Sequence, residues 1–163
     1  MVEQRRAVIK LGGGLITEKS GLCEPDHDSI RISTGAIASL VEEGWMIALV
    51  HGAGSFGHAK AKRWRLTEGP VDADLGEEDG ITNQLEAVKA VRQDMMNLNR
   101  LVTNALSEHG IDSVTYHPHK WARGTGENFT GNLDFLGKNK VTITYGDVVD
   151  VGDDGFGILS GDD

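Results

Sequence analysis

Two short apolar runs, each ending directly in a cluster of glycines, constrain this chain more than any other feature. RAVIKL (Arg6–Leu11) is followed at once by Gly12, Gly13 and Gly14. WMIALV (Trp45–Val50) is followed by HGAGSFGH, residues 51–58. An apolar run of this length bounded by glycine reads as a buried strand that ends in a tight loop. Between the two lies IRISTGAIASLVEEG, with helical spacing, Asp26 or Asp28 as a start and Gly44 as a stop. Strand, helix and strand in that order build a parallel sheet and place both glycine loops at its carboxyl edge.

The rest of the chain continues the alternation. Leu85, Val88, Val91, Met95, Leu98, Leu101, Val102 and Leu106 predict a long amphipathic helix from about Gly80 to His109. Short strands are expected at 112–116 and 140–145, and a hairpin over 147–159 with VGDDG as its turn. Residues 65–79 read as a loop or a small hairpin, and 117–139 as irregular and glycine-rich. The class is therefore α/β with a mostly parallel sheet.

The 163 residues suit one domain. No apolar run reaches the ~18 residues of a membrane helix. The start, MVEQRRAVIKLGGG, lacks the apolar stretch of a signal peptide. The single cysteine, Cys23, excludes an intramolecular disulfide and fits a reducing, cytoplasmic setting. A net charge of -9 argues against general nucleic-acid binding.

Gly52, Gly54 and Gly57 satisfy G-x-G-x-x-G after a strand, the dinucleotide pattern. That reading needs a second apolar strand ending near an acidic residue about 20 positions on. The segment before Asp72 and Asp74, KRWRLTEGPVDAD, is polar, which argues against the dinucleotide reading. The alternative is an anion nest: backbone N–H groups of 52–57 around a phosphate, with His58 able to donate to a phosphoryl oxygen. The first loop repeats the logic, with Lys10 at the strand end and Lys19 nine residues later. Glycines admit phosphate to the backbone and an ammonium neutralises its charge. One loop can hold a donor phosphate and the other an acceptor, the arrangement that in-line phosphoryl transfer needs.

In chain order, IKLGGG-LIT-EK, VHGAGSFGH, YGDVV and ILSGDD resemble the amino acid kinase superfamily, and within it the isopentenyl phosphate kinases. The resemblance implies an open αβα sandwich. It also implies transfer of the ATP γ-phosphoryl group, with Mg²⁺, to isopentenyl phosphate, for isoprenoid synthesis by an alternate mevalonate route. By the same resemblance Lys10 and Lys19 contact the transferring phosphates. His58 and the loop Gly52, Ala53, Gly54, Ser55 and Gly57 take the acceptor phosphate. Gly12, Gly13 and Gly14 form the donor loop. Asp162, and Asp163 beside it, match the aspartate that orients the lysines. The long helix helps wall the isopentenyl tail, although each of its apolar residues reads first as core.

Two residues depart from the family pattern. Gly14 stands where a serine is usual. Ala53 stands where a glycine is usual, and its methyl crowds the phosphate if that position requires positive φ. Family members also run well beyond SGDD. The expectation is therefore a single substrate-binding lobe, residues 1–163, without the nucleotide lobe and with little or no turnover alone. A kinase of another small phosphate or phosphonate (fosfomycin kinase-like) and a non-catalytic phosphate-binding lobe are the alternatives. A homodimer is left open. No metal ligands are assigned; His117-Pro-His119 lacks the partners of a metal site and reads as loop.

Overall fold

In a computed structural model, which describes residues 3–135 and 137–163, the two strand–loop units lie side by side. Strand β1 (Arg6–Leu11) pairs in parallel with β2 (Met46–His51), from Arg6 opposite Met46 to Leu11 opposite His51. β2 pairs in parallel with β6 (Val141–Tyr145), and β6 with β3 (Ser113–Thr115), giving a four-stranded parallel sheet in the order β1-β2-β6-β3. Because side chains alternate along a strand, Ile9, Leu11, Ile47, Leu49, Val141, Ile143 and Tyr145 share one face. The first glycine cluster runs into a one-turn helix, α1 (Gly13–Ile16), and the apolar face packs on helices α2 (His27–Glu42) and α4 (Gln84–Glu108) as the main core. The other face carries Val8, Ala48, Thr142 and Val114 in one register row; Val8 and Val114 on the two outer strands are exposed.

Local chemistry explains the element ends. Asp26 caps α2 by accepting from the Ser29 amide, and Gly44 adopts φ +90 beyond its end. The long helix begins four residues later than its spacing predicts, at Gln84 rather than Gly80. Asp79 and Gly80 both have positive φ, and the cap is Asn83, which accepts from Glu86 N–H. Glu86 in turn accepts from the amide and hydroxyl of Thr82. The apolar stripe sets the face of a helix; the capping side chain sets its first residue.

A second, smaller sheet has the order β5-β4-β7-β8. The hairpin of β7 (Asp147–Val151) and β8 (Gly155–Leu159) is antiparallel, as the sequence predicts, with Gly152 at φ +64 in its turn. The segment expected to be irregular, 117–139, contributes α5 (Pro118–Trp121) and the two-residue strands β4 (Ala122–Arg123) and β5 (Thr130–Gly131). Too short to show a period, these had no sequence signal. Arg92 of α4 fastens this sheet to the core: its Nε donates to Val148 O at 2.8 Å, and its Nη2 pairs with Asp150 at 2.9 Å. Among the described residues no helix is long and apolar enough to cross a membrane.

Candidate functional site

A cleft of about 220 Å³ opens at the carboxyl edge of the parallel sheet, where both glycine loops lie. Lys10, at the end of β1, reaches its wall and pairs with the carboxylate of Asp162. Both partners are well exposed, so this contact positions the ammonium more than it stabilises the fold. Asp162 is carried by the turn after β8, in which Asp162 N–H donates to Ser160 Oγ. Gly161 in that turn lies so close to β1 and β2 that an added Cβ would sit 3.1 Å from Val50 Cγ1.

The second loop supplies the opposite wall. Gly54, Ser55 and Phe56 form one 3₁₀ turn, and His58 opens α3 (His58–Arg63), with its side chain exposed at the cleft. Among the described residues no hydrogen bond uses the amide of Ala53, which lines the cleft and leaves a donor for an anion. Ala53 has φ -90, so the departure from glycine carries no backbone strain. Its methyl packs over Gly57, where an added Cβ would sit 2.9 Å from it. Gly14 is tolerant as well: a Cβ there meets only Lys19 Cε, at 3.7 Å, an ordinary contact.

The remaining wall is apolar. Ala61 of α3, Val91 and Met95 of α4, and Ile158 and Leu159 of β8 line it. Of the long helix, Val91 and Met95 reach the cleft wall, but both are buried in the main core. Leu98, Val102 and Leu106 belong to the core, and Leu85 is exposed. The site thus has a cationic, glycine-lined end and an apolar end.

Not every residue singled out in the sequence lies in the cleft. Gly13, Gly52, Ala53, Gly57, His58, Lys10 and Asp162 line it; Gly12, Gly14, Lys19, Gly54, Ser55 and Asp163 do not. Lys19 is exposed on the loop beside Gly14. The Ser55 hydroxyl donates to Glu24 O at 3.1 Å, so it serves the 18–25 loop. Asp163 accepts from Ser160 N–H at 2.9 Å and from Gly126 N–H, closing its own turn.

Sequence reasoning missed Asp147, which lies on the cleft wall with its side chain fully buried. It accepts from His119 Nδ1 at 2.7 Å and from Val148 N–H. Beside it, Tyr145 meets His117 Nδ1 at 2.6 Å. Burial, aided by the Asp147 charge, pushes the Tyr145 phenol well above its ordinary range. Burial and Lys120 hold His117 below the ordinary imidazole value. His117 is thus engaged with Tyr145 of the parallel sheet, and His119 with Asp147 of the second sheet. Among the described residues no group of three or more His, Cys, Asp or Glu converges as a metal site.

Two adjacent glycine-rich turns on a parallel sheet, with a lysine–aspartate pair at the strand end and a histidine across the cleft, mark an α/β fold with a cationic, glycine-lined site. The sequence profile described as "Amino acid kinase family" matches residues 5–163, and the chain belongs to that family. Among curated relatives it is 31% identical to the isopentenyl phosphate kinase of Thermoplasma acidophilum, over 96% of this chain and 58% of that kinase. It is 32% identical to the isopentenyl phosphate kinase of Haloferax volcanii, over 96% of this chain and 60% of that one. A solved isopentenyl phosphate kinase structure superposes with a TM-score of 0.80 at 26% identity, covering 97% of this chain and 64% of the other. The chain therefore spans less than two thirds of the length of the relatives it matches.

Proposed function

We propose that this chain provides the acceptor-binding lobe of a kinase that transfers the γ-phosphoryl group of ATP to isopentenyl phosphate, giving isopentenyl diphosphate. The observation that carries the reading is the two-ended cleft. His58 and the 52–57 loop, with Lys10 across from them, suit a monophosphate, while Val91, Met95, Ile158 and Leu159 suit a short hydrocarbon tail. The curated relatives named above bear that activity in their names.

In this scheme an acceptor phosphate oxygen attacks the γ-phosphorus in line. The bond from that phosphorus to the β–γ bridging oxygen breaks, and ADP leaves. A dianionic acceptor has no proton to give up, so the site needs charge and alignment rather than a base. His58 donates to the acceptor phosphate. Lys10, held by Asp162, faces the transferring group, and Lys19 approaches from the loop beside Gly14. Magnesium fits as a companion of the ATP phosphates, since Mg²⁺ typically keeps several waters and takes one or two carboxylates. It would supply charge neutralisation there; of the two carboxylates that line the cleft, Asp162 is exposed and Asp147 is buried on His119.

The test is ³¹P NMR of the chain with Mg-ATP and isopentenyl phosphate, beside a His58→Ala control. The expected result is a perturbed isopentenyl phosphate resonance that the control loses. Conversion to diphosphate, also lost in the control, would add catalysis by this chain alone. An isopentenyl phosphate resonance unaffected by the folded protein would overturn the proposal.

A further inference from the structure

We propose that Thr17 is a positioning residue that sets the spacing between the two phosphate loops; the inference deepens the reading above and rests on it. Thr17 is buried, 3% exposed, and lines no part of the cleft. Its Oγ1 donates to Gly13 O in the first loop at 2.7 Å and accepts from Ser55 N–H in the second at 3.0 Å. One hydroxyl therefore touches both loops. No other side chain among the described residues hydrogen-bonds to both the 12–14 and 52–57 backbones.

The surroundings make this hydroxyl a spacer. The loops pack backbone to backbone: a Cβ on Gly13 would overlap Gly54 N, and one on Gly52 would lie 2.6 Å from Gly13 N. Gly54, at φ +49, presses against Thr17 Oγ1 itself, and a Cβ there would overlap it. On the far side Ser55 clasps the loop that carries Lys19. Its hydroxyl donates to Glu24 O at 3.1 Å, and its carbonyl accepts from Cys23 N–H at 3.0 Å. Thr17 and Ser55 thus couple the first glycine loop, the second and the lysine loop in one chain of hydrogen bonds. In-line transfer places two phosphates a fixed distance apart, and about 1 Å of misplacement costs on the order of a hundredfold in rate. Thr17 acts on that distance without touching either phosphate.

The discriminating variants are Thr17→Val, nearly the same shape without the hydroxyl, and Thr17→Ser, which keeps it; Thr17→Ala stands in if the valine variant does not fold. Each is titrated with two pairs of ligands: inorganic phosphate and pyrophosphate, and isopentenyl phosphate and diphosphate. A monophosphate uses one loop and a diphosphate uses both. Thr17→Val is expected to weaken the diphosphates by about tenfold or more and the monophosphates by less than about threefold, with Thr17→Ser close to the parent chain. Equal weakening of both kinds, no weakening, or failure of serine to restore binding would overturn the spacing role and leave a merely structural one. Parent-chain binding of the inorganic pair but not the isopentenyl pair would overturn the substrate reading alone, and Thr17 is then judged on pyrophosphate against phosphate. Parent-chain binding of neither inorganic ligand would overturn the spacing proposal itself.

Discussion

Gly54 and Ala53 stand next to each other, and the backbone treats them in opposite ways. Gly54 needs positive φ and touches Thr17 Oγ1 and the Gly13 carbonyl; Ala53, at φ -90, needs neither freedom nor space. Gly54→Ala is therefore expected to destabilise the chain by more than about 1 kcal/mol, while Ala53→Gly costs no more than about 1 kcal/mol through unfolded-state entropy alone. Urea unfolding of both variants checks this, and equal midpoints would contradict it. The two residues also mark what a sequence shows at this scale. The cluster HGAGSFGH and its position after an apolar run were legible. Which glycine is obligatory depends on the backbone of another segment, 12–17, and no local pattern carries that. The same limit hid the role of Ser55: a serine in a phosphate-type loop looks like a ligand until its hydroxyl is seen on Glu24.

His51 joins three elements. It ends β2, stacks on Tyr145 of β6 with ring centroids 5.0 Å apart, and meets Asn99 of α4, which in turn meets Thr115 of β3. Its Nδ1 faces the Gly52 carbonyl at 3.1 Å and its Nε2 the Asn99 side-chain oxygen at 3.2 Å; a neutral ring has one N–H and donates to one of them. Complete burial holds its pKa below the ordinary 6.5, with the bonds to Gly52 and Asn99 opposing that only in part. Burial thus favours the neutral ring in the folded state, whereas the unfolded chain takes the proton more readily below about pH 6.5, and stability falls as the pH drops through that value. The lowered pKa of His117 acts in the same direction. Urea midpoints at pH 8 and pH 5.5 are expected to differ, with the acidic one lower; a flat profile would contradict the buried-neutral assignment. At this scale the sequence was most legible where elements are long: both central strands, α2 and the stripe of α4 follow from apolar spacing. The start of α4 and the pieces within 117–139 were not, because a cap and two-residue strands leave no period to read.

For the whole molecule, the order of elements matters more than any single one. Parallel crossovers bring the ends of β1 and β2 together, and the return of the chain through β8 delivers Asp162 to the same edge. That is why residues from positions 10 to 162 share one cleft, and why the family resemblance rests on motifs spread over nearly the full chain. The resemblance made the cluster Lys10, His58 and Asp162 legible in advance. Asp147 escaped because the hairpin buries its carboxylate on His119 behind the cleft wall, a contact between distant segments. The central claim is that this cleft holds a phosphate at one end and a short hydrocarbon tail at the other. The measurement that tests it most directly is a crystal structure of the chain grown with isopentenyl phosphate. The phosphate is expected within hydrogen-bond distance of His58 and the Ala53 backbone, with the tail against Val91 and Met95. A phosphate bound elsewhere, or a tail pointing away from α4, would contradict it.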